Sequence, residues 1–260
     1  MYKRIILFID LTVTLSFMMN ANRFNQLNGG NDMPNHNTIY KQEADKYHSM
    51  ISKQQPLLPK VEELINLEGL DILDLGAGSG RFTLELASKA ISIVALDNSE
   101  AMLNVAANRL KQAGWNHWRT ITADHRSLPL DDHCVDLIIA GWTICYLTNA
   151  DVPDALDNLR HIMEEMKRVL RPNGTILIFE TMGTGEEQPN PPEFLKDYYA
   201  ALVQDYGFNH KWIRTDYTFE TIEQAEQLTR FFFGEAMAER VVEHNWTHLP
   251  ECAGMWWLQV

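Results

Sequence analysis

Residues 73–82 read LDLGAGSGRF, a short apolar run that ends in closely spaced glycines. The run reads as a buried strand and the glycines as a tight turn into a helix. A glycine turn between strand and helix is a common setting for a bound phosphate. Here Asp74 stands two residues ahead of Gly76, and Arg81 sits where a dinucleotide fingerprint has its third glycine. A carboxylate beside the loop disfavours a pyrophosphate. It would help hold a cationic ligand, directly or through water.

Outward from this stretch, from about Tyr40, strand and helix patterns alternate, which predicts an α/β domain with a parallel sheet. Strands are expected at 71–75, 91–97, 118–124, 134–142, 175–180 and 211–219, and in the closing GMWWLQV, making seven. Trp256 and Trp257 are expected on opposite faces of that last strand. Helices are expected over 38–51 and 58–67, and after the glycines with Phe82, Leu86 and Ala90 on one face. Another, over 99–114, carries Leu103, Ala106 and Leu110 at helical spacing.

DALDNLRHIMEEMKRVL places Leu156, Leu159, Met163, Met166 and Leu170 on one stripe, ending at a Pro172-Asn173-Gly174 turn. The rhythm then changes to a Gly- and Pro-rich loop, an amphipathic FLKDYYAALVQDYG and helical patterns over about 221–243. The aromatic residues Tyr198, Tyr199, Tyr206, Phe208 and Trp212 in this region serve either a substrate cleft or the lobe's own core.

A chain of 260 residues with 45% hydrophobic residues can bury a substantial core. Its 35 acidic residues against 22 Lys and Arg give a net charge of −13, which opposes nucleic-acid backbones and anionic membranes. A small-molecule partner is favoured. Cys134, Cys145 and Cys252 are odd in number and lack a CxxC spacing, against both a disulfide framework and a zinc site. His244 and His248 lack a convincing third ligand, so no metal is expected.

The start, MYKRIILFIDLTVTLSFMM, imitates a signal peptide, but Asp10 interrupts it and no clean cleavage site follows. It is too short and broken for a membrane span. A polar Asn- and Gly-rich stretch comes next. Residues 1–37 are therefore expected to be a disordered leader, with 1–32 a dispensable extension.

In an open parallel sheet, ligands bind beyond the C-terminal ends of the strands. Carboxylates stand at three such ends, Asp97, Asp124 and Glu180. Asp97 lies at the distance beyond the glycines where an acid accepts from ribose hydroxyls, although LDNSEAML also suits a helix cap. Asp124 suits an adenine amino group with His125 covering the ring, or else a solvated loop.

DLGAGSG, LDNSEAML, TADHRSLPLDDHCVDLIIAGW and RVLRPNGTILIFE together resemble the class I S-adenosylmethionine-dependent methyltransferases of small-molecule type, over about residues 38–182. The resemblance implies a Rossmann-like doubly wound sheet of seven strands. The last is antiparallel and inserted between the two before it, and a helical substrate lobe follows strand five. It implies a cofactor-binding core over 38–182, with the lobe and closing strands of the same domain over 183–260.

By the same resemblance, Asp74 orients the methionine part of S-adenosylmethionine. Gly76, Ala77, Gly78 and Gly80 bring backbone close to it, because a Cβ at the glycines would occupy ligand space. Asp97 and Asn98 serve the ribose, Asp124 and His125 the adenine, and the backbone around Ala140–Gly141 the methionine amino group. Tyr40 and Tyr47 either form part of a lid or simply pack. The implied activity is in-line methyl transfer to an oxygen or nitrogen of a small molecule, in the cytoplasm.

The rival readings are a nicotinamide-dependent oxidoreductase, an aminopropyl-type transferase and a non-catalytic binding protein on the same fold. GWTICYL at 141–147 lacks the Asn/Asp-Pro-Pro-aromatic motif of enzymes that methylate nucleobase or glutamine amino groups. His125, Tyr146, Glu180 and His210 are candidate proton acceptors, and no catalytic base stands out among them.

Overall fold

The computed structural model describes residues 34–260. The expected leader falls almost wholly outside this range. Within it, the side chain of Asn35 accepts from the Thr38 amide and caps the first helix.

The strands are β1 (Asp71–Leu75), β2 (Ser92–Asp97), β3 (Trp118–Thr122), β4 (Val135–Gly141), β5 (Leu170–Thr184), β6 (Asn209–Arg214), β7 (Tyr217–Thr218), β8 (His248–Leu249) and β9 (Glu251–Gln259). Seven of them form one sheet in the order β3-β2-β1-β4-β5-β9-β6, and β7 pairs with β8 in a separate ribbon. The first five strands run parallel, while β9 lies antiparallel between β5 and β6. The expected inserted last strand is thus present.

The central strands are buried on both faces, as period-2 alternation of side chains requires in a doubly covered sheet. Leu73, Leu75, Ile138, Ile176 and Ile178 join one core cluster. Ile72, Leu137, Ile139, Leu177 and Phe179 join the other. Trp256 falls in the first and Trp257 packs against the second, so the adjacent tryptophans do face opposite ways.

The helices are α1 (His36–Gln42), α2 (Ala44–Ile51), α3 (Leu58–Glu62), α4 (Arg81–Leu86), α5 (Glu100–Gln112), α6 (Cys145–Thr148), α7 (Ala155–Val169), α8 (Lys196–Gln204), α9 (Ile222–Phe233) and α10 (Glu235–Glu243). The single helix expected over 38–51 is broken at Glu43, so that α1 packs on α5 while α2 meets α9. The helix expected over 58–67 stops at Glu62. Met50 from α2 joins Tyr217, Phe219, Leu228, Val241 and Leu249 in a third core, which builds a lobe from both ends of the described chain.

Three further expectations need correction. The α7 stripe does not include Leu156, which is 60% exposed. The buried face runs through Asn158, Leu159, Ile162, Met163, Met166 and Val169. Asn158 replaces an apolar residue there because its side-chain amide donates to the carbonyls of Leu147 and Pro153. The Pro172-Asn173-Gly174 turn is an irregularity within β5, where Asn173 adopts φ 67° and its amide donates to the Val260 carbonyl.

The strand expected over 211–219 splits into β6 and β7. At the break, Asp216 accepts from the Glu251 amide and from Arg214.

Tyr198, Tyr199 and Phe208 are buried in the first core, Tyr206 packs against it, and Trp212 is 40% exposed. None of these five lines the hollow at the strand ends. Among the described residues, no helix is long and apolar enough to cross a membrane.

Glu180 near the end of β5 is fully buried, and one of its oxygens accepts from the Cys145 amide and the Tyr198 hydroxyl. Burial pushes its carboxyl up to about 7, against the opposing pull of those donors. Folded Glu180 therefore keeps its proton up to about pH 7, whereas the unfolded chain loses it near pH 4. The stability this confers is complete below pH 4 and is lost as pH rises through 7.

Glu180→Gln, which cannot ionise, should gain on the parent protein by about 2–3 kcal/mol between pH 5 and pH 8 in urea unfolding. A constant difference would assign the pH response elsewhere. On α7, Leu159→Ala should cost about 2–5 kcal/mol and Leu156→Ala less than about 0.5 kcal/mol by the same measurement.

Candidate functional site

The glycine loop leaves β1 with a sharp reversal, in which the Gly76 and Ala77 amides both donate to the Leu96 carbonyl of β2. The loop is thereby fastened to the strand that carries Asp97. One Asp97 oxygen accepts from the Gly78 amide at 2.9 Å and the other from the Ser99 amide at 2.8 Å. Ser99 in turn caps α5 and donates its hydroxyl to the Tyr40 carbonyl on α1. The two readings of Asp97 are therefore not exclusive. It orders the entry to α5 and also lines a hollow at the strand ends.

That hollow has two adjoining halves that share Tyr40, Tyr47, Gly76, Gly78, Trp142 and Tyr146. Asp97, Asn98, Asp124 and His125 line one half, and Gly141 lies on the wall between the two. Ala77 lines the other half, together with Arg81 and Gln54.

Two expected positions lie outside the lining. Asp74 is buried beneath the loop, where it accepts the Thr83 hydroxyl, and burial lifts its carboxyl to about 7. Gly80, at φ 82°, is absent from that lining. A Cβ there would stand 2.9 Å from Cβ of Ala106, so this glycine permits α4 and α5 to touch. At Gly76, a Cβ would strike the Thr143 side chain at 2.1 Å.

The acidic half is electrostatically graded. Burial raises the Asp97 carboxyl above its ordinary value. Asp124 is also desolvated, but Arg126 grips it through two side-chain hydrogen bonds at 2.9 and 2.7 Å and holds its carboxyl below the ordinary value. Burial keeps His125 neutral, and its Nδ1 is buried with no hydrogen-bond partner among the described residues.

An aromatic cluster from separate parts of the chain lines the hollow. Tyr40 and Tyr47 meet edge to face at 5.1 Å, Tyr47 contacts Phe232 at 5.4 Å, and His36 stacks on Phe232 at 4.7 Å. The Tyr40 and Tyr146 hydroxyls are 2.7 Å apart, and Tyr146 reaches His36 Nδ1 at 3.3 Å. His36 Nε2 faces the Phe232 carbonyl at 3.0 Å. A carbonyl only accepts, so Nε2 carries the proton. Burial keeps the ring neutral, which leaves Nδ1 to accept from Tyr146. Tyr146 then accepts from Tyr40, and the Tyr40 oxygen retains lone pairs at the hollow. The lid reading of Tyr40 and Tyr47 fits this placement.

Of the candidate proton acceptors, His125 and Tyr146 line the hollow. Glu180 does not, and His210 stacks on Trp256 at 4.4 Å. Sequence reading reached Trp142 only as the end of a strand, and missed Thr143, Tyr217 and Phe232. Trp142 adopts φ 51°, held by the hydrogen bond its amide donates to the Phe179 carbonyl and by stacking on Phe179 and Phe82. Its signal in the sequence is its place directly after β4. Tyr217 and Phe232 carry none, because they reach the site only through the fold of the lobe.

A family model described as a methyltransferase domain matches residues 73–178. The demethylmenaquinone methyltransferase of Bacillus subtilis (strain 168) is 31% identical over 214 residues, covering 80% of this chain and 75% of that protein. The phosphoethanolamine N-methyltransferase of Triticum aestivum is 30% identical over 156 residues, covering 57% of this chain and 29% of that protein. Among solved structures, an S-adenosylmethionine-dependent methyltransferase from Aquifex aeolicus aligns with a TM-score of 0.55 at 19% identity, covering 84% of this chain and 97% of that one. The fastened glycine loop, the inserted antiparallel strand and a relative that shares most of its length lead to one conclusion: this chain belongs to the S-adenosylmethionine-dependent methyltransferases.

Proposed function

We propose that this methyltransferase acts in the cytoplasm and methylates an oxygen or nitrogen of a small-molecule acceptor by direct in-line transfer. The observation that carries the site assignment is the order of groups along the hollow. Asp97 and Asp124 stand at one end, the glycine loop lies in the middle, and the Tyr40–Tyr146 pair closes the top.

The residues present fit S-adenosylmethionine. Asp97 has oxygen lone pairs left over for ribose hydroxyls after its two backbone bonds. The unpartnered His125 Nδ1 and the Asp124 carboxylate supply polar contacts for adenine. Backbone at Gly76 and Gly78 faces the hollow without side chains. When bound, the cofactor supplies a methyl group already activated on a cationic sulfur. The chain therefore has to position the acceptor and exclude water.

Tyr40, Tyr47, Tyr146 and Phe232 are placed to exclude water, and the Tyr40 lone pairs are placed to receive an O–H or N–H of the acceptor. That hydrogen-bond direction supports an oxygen or nitrogen nucleophile. The aromatic lining and the net charge of −13 support a small molecule rather than a nucleic acid or membrane surface. The relatives named for demethylmenaquinone and phosphoethanolamine support the same substrate class. Three free cysteines suit a reducing compartment.

Thermal shift with S-adenosylhomocysteine, S-adenosylmethionine and NADH tests the cofactor site. At one hundred times its Kd, S-adenosylhomocysteine should add about 2.7 kcal/mol of stability, with no shift from NADH. Asp97→Ala should weaken S-adenosylhomocysteine binding at least about tenfold by titration calorimetry and leave a cooperative thermal transition. Unchanged affinity would remove Asp97 from the site. Turnover with isotopically labelled methyl donor across small O-, N-, S- and C-nucleophiles tests the acceptor, and labelling confined to sulfur, carbon or macromolecules would overturn it.

A further inference from the structure

His36 has no part in the contacts assigned above to the methyl donor or its acceptor. It starts α1, stacks on Phe232 at 4.7 Å and is half-buried. Its Nε2 proton is committed to the Phe232 carbonyl, so Nδ1 carries none and faces the Tyr146 hydroxyl at 3.3 Å. Tyr146 meets Tyr40 at 2.7 Å, and both tyrosines line the hollow. Three side chains from α1 and α6 thus form an unbroken file. An imidazole lone pair stands at one end and the Tyr40 lone pairs at the other.

The state of each group decides what the file can carry. Burial pushes the Tyr40 and Tyr146 hydroxyls well above their ordinary value, so neither stands as a phenolate. A proton that enters at Tyr40 must displace one to Tyr146, which must pass its own to Nδ1. The rings set against His36 are Tyr40, Tyr146 and Phe232, and no carboxylate pairs with it among the described residues. Burial holds the imidazole below its ordinary value, so at neutral pH it is uncharged and open to a proton. Once it has one, Nδ1–H points at Tyr146 while Nε2–H still meets the Phe232 carbonyl. The reversed file then contains no mismatched pair.

We propose that His36 receives the acceptor's proton, through Tyr40 and Tyr146, during methyl transfer. The proposal rests on the oxygen-or-nitrogen acceptor reading above and adds the route that the acceptor's proton takes. As the acceptor's lone pair bonds the methyl carbon, the methyl–sulfur bond breaks and its electron pair stays on sulfur. The acceptor's O–H or N–H proton passes to Tyr40, the Tyr40 proton to Tyr146 and the Tyr146 proton to Nδ1. The positive charge lost at sulfur is then carried by the imidazolium. Because His36 is half-buried, its extra proton has a way out to solvent. His36 itself touches no acceptor and acts only through the two hydroxyls.

Nitrogen NMR of the histidine-labelled full chain reads the file without any ligand, with His36→Asn identifying the resonances. At neutral pH His36 should be uncharged with its proton on Nε2, and Tyr146→Phe should shift chiefly the Nδ1 signal. A cationic ring, a proton on Nδ1 or an unmoved Nδ1 signal would overturn the proposal. Labelled methyl transfer then compares phenol with 4-nitrophenol at mildly alkaline pH, where only the latter arrives ionised. His36→Phe keeps a ring against Phe232. It should slow phenol methylation about 100-fold and change transfer to 4-nitrophenolate less than about twofold. Tyr146→Phe should show the same split and serves if the His36 variant does not fold. His36→Asn accepts a hydrogen bond but not a proton, so it should be as slow as His36→Phe.

Equal losses for the two phenols would make the file structural and overturn the proposal. So would an unchanged rate in His36→Phe, or a His36→Asn variant as fast as the parent protein. A parent protein that methylates neither phenol overturns it as well. Labelling confined to sulfur or carbon nucleophiles would show that the acceptor reading had failed first, whatever the state of His36.

Discussion

The Asp97 carboxylate is the junction on which the site depends. It bonds the Gly78 amide on one side and the Ser99 amide on the other, joining the loop after β1 to the helix after β2. These segments are adjacent only because β1 and β2 pair in parallel register, which sets Leu75 beside Leu96. A parallel sheet brings all such strand ends to one edge, so a single carboxylate can order backbone from two crossovers. Ser99 extends the junction by holding the Tyr40 carbonyl, which brings the first helix over the opening. Loop, cap and lid are consequently one hydrogen-bonded unit.

Around that unit the acids are differentiated by their surroundings. Asp124 is held below its ordinary value by Arg126, while Asp74, Glu180 and Glu251 are each lifted by burial to about 7. Near neutral pH the protein therefore does not confront its ligand with a uniform wall of negative charge. The negative groups most available to it stand at the Asp97–Asp124 end of the hollow. Asp74 lies beneath the loop, bonded to Thr83 and outside the lining of the hollow.

Much of this was legible in the sequence because buried strands announce themselves. DILDL matches β1 residue for residue, and the strand ends at Asp97 and Gly141 follow from apolar runs closed by turn residues. Where the reading failed, a tertiary contact outweighed a local rule. Leu156 fits the helical period of α7, but Asn158 takes the inner face because two carbonyls are there to be satisfied. Gly80 reads as part of a ligand cradle, but its missing side chain makes room for Ala106. Phe232 and Tyr217 are invisible in the sequence for a simpler reason. Their lobe closes through a core that starts with Met50, far earlier in the chain.

That lobe explains why the lid has direction as well as shape. The Phe232 carbonyl fixes the tautomer of His36, and the tautomer fixes which way each hydroxyl points in the chain from His36 through Tyr146 to Tyr40. Reversing the chain would place a proton on His36 Nδ1 and oppose a ring N–H to the Tyr146 hydroxyl. The Phe232 carbonyl would then face a bare nitrogen, two acceptors without a proton between them. Such a mismatch in a buried network is costly, so the orientation is held by a residue that touches no hydroxyl of the chain. A helix near the end of the described chain thereby sets the hydrogen-bonding character of a tyrosine near its start. The hollow is left with lone pairs, rather than a proton, at the Tyr40 hydroxyl.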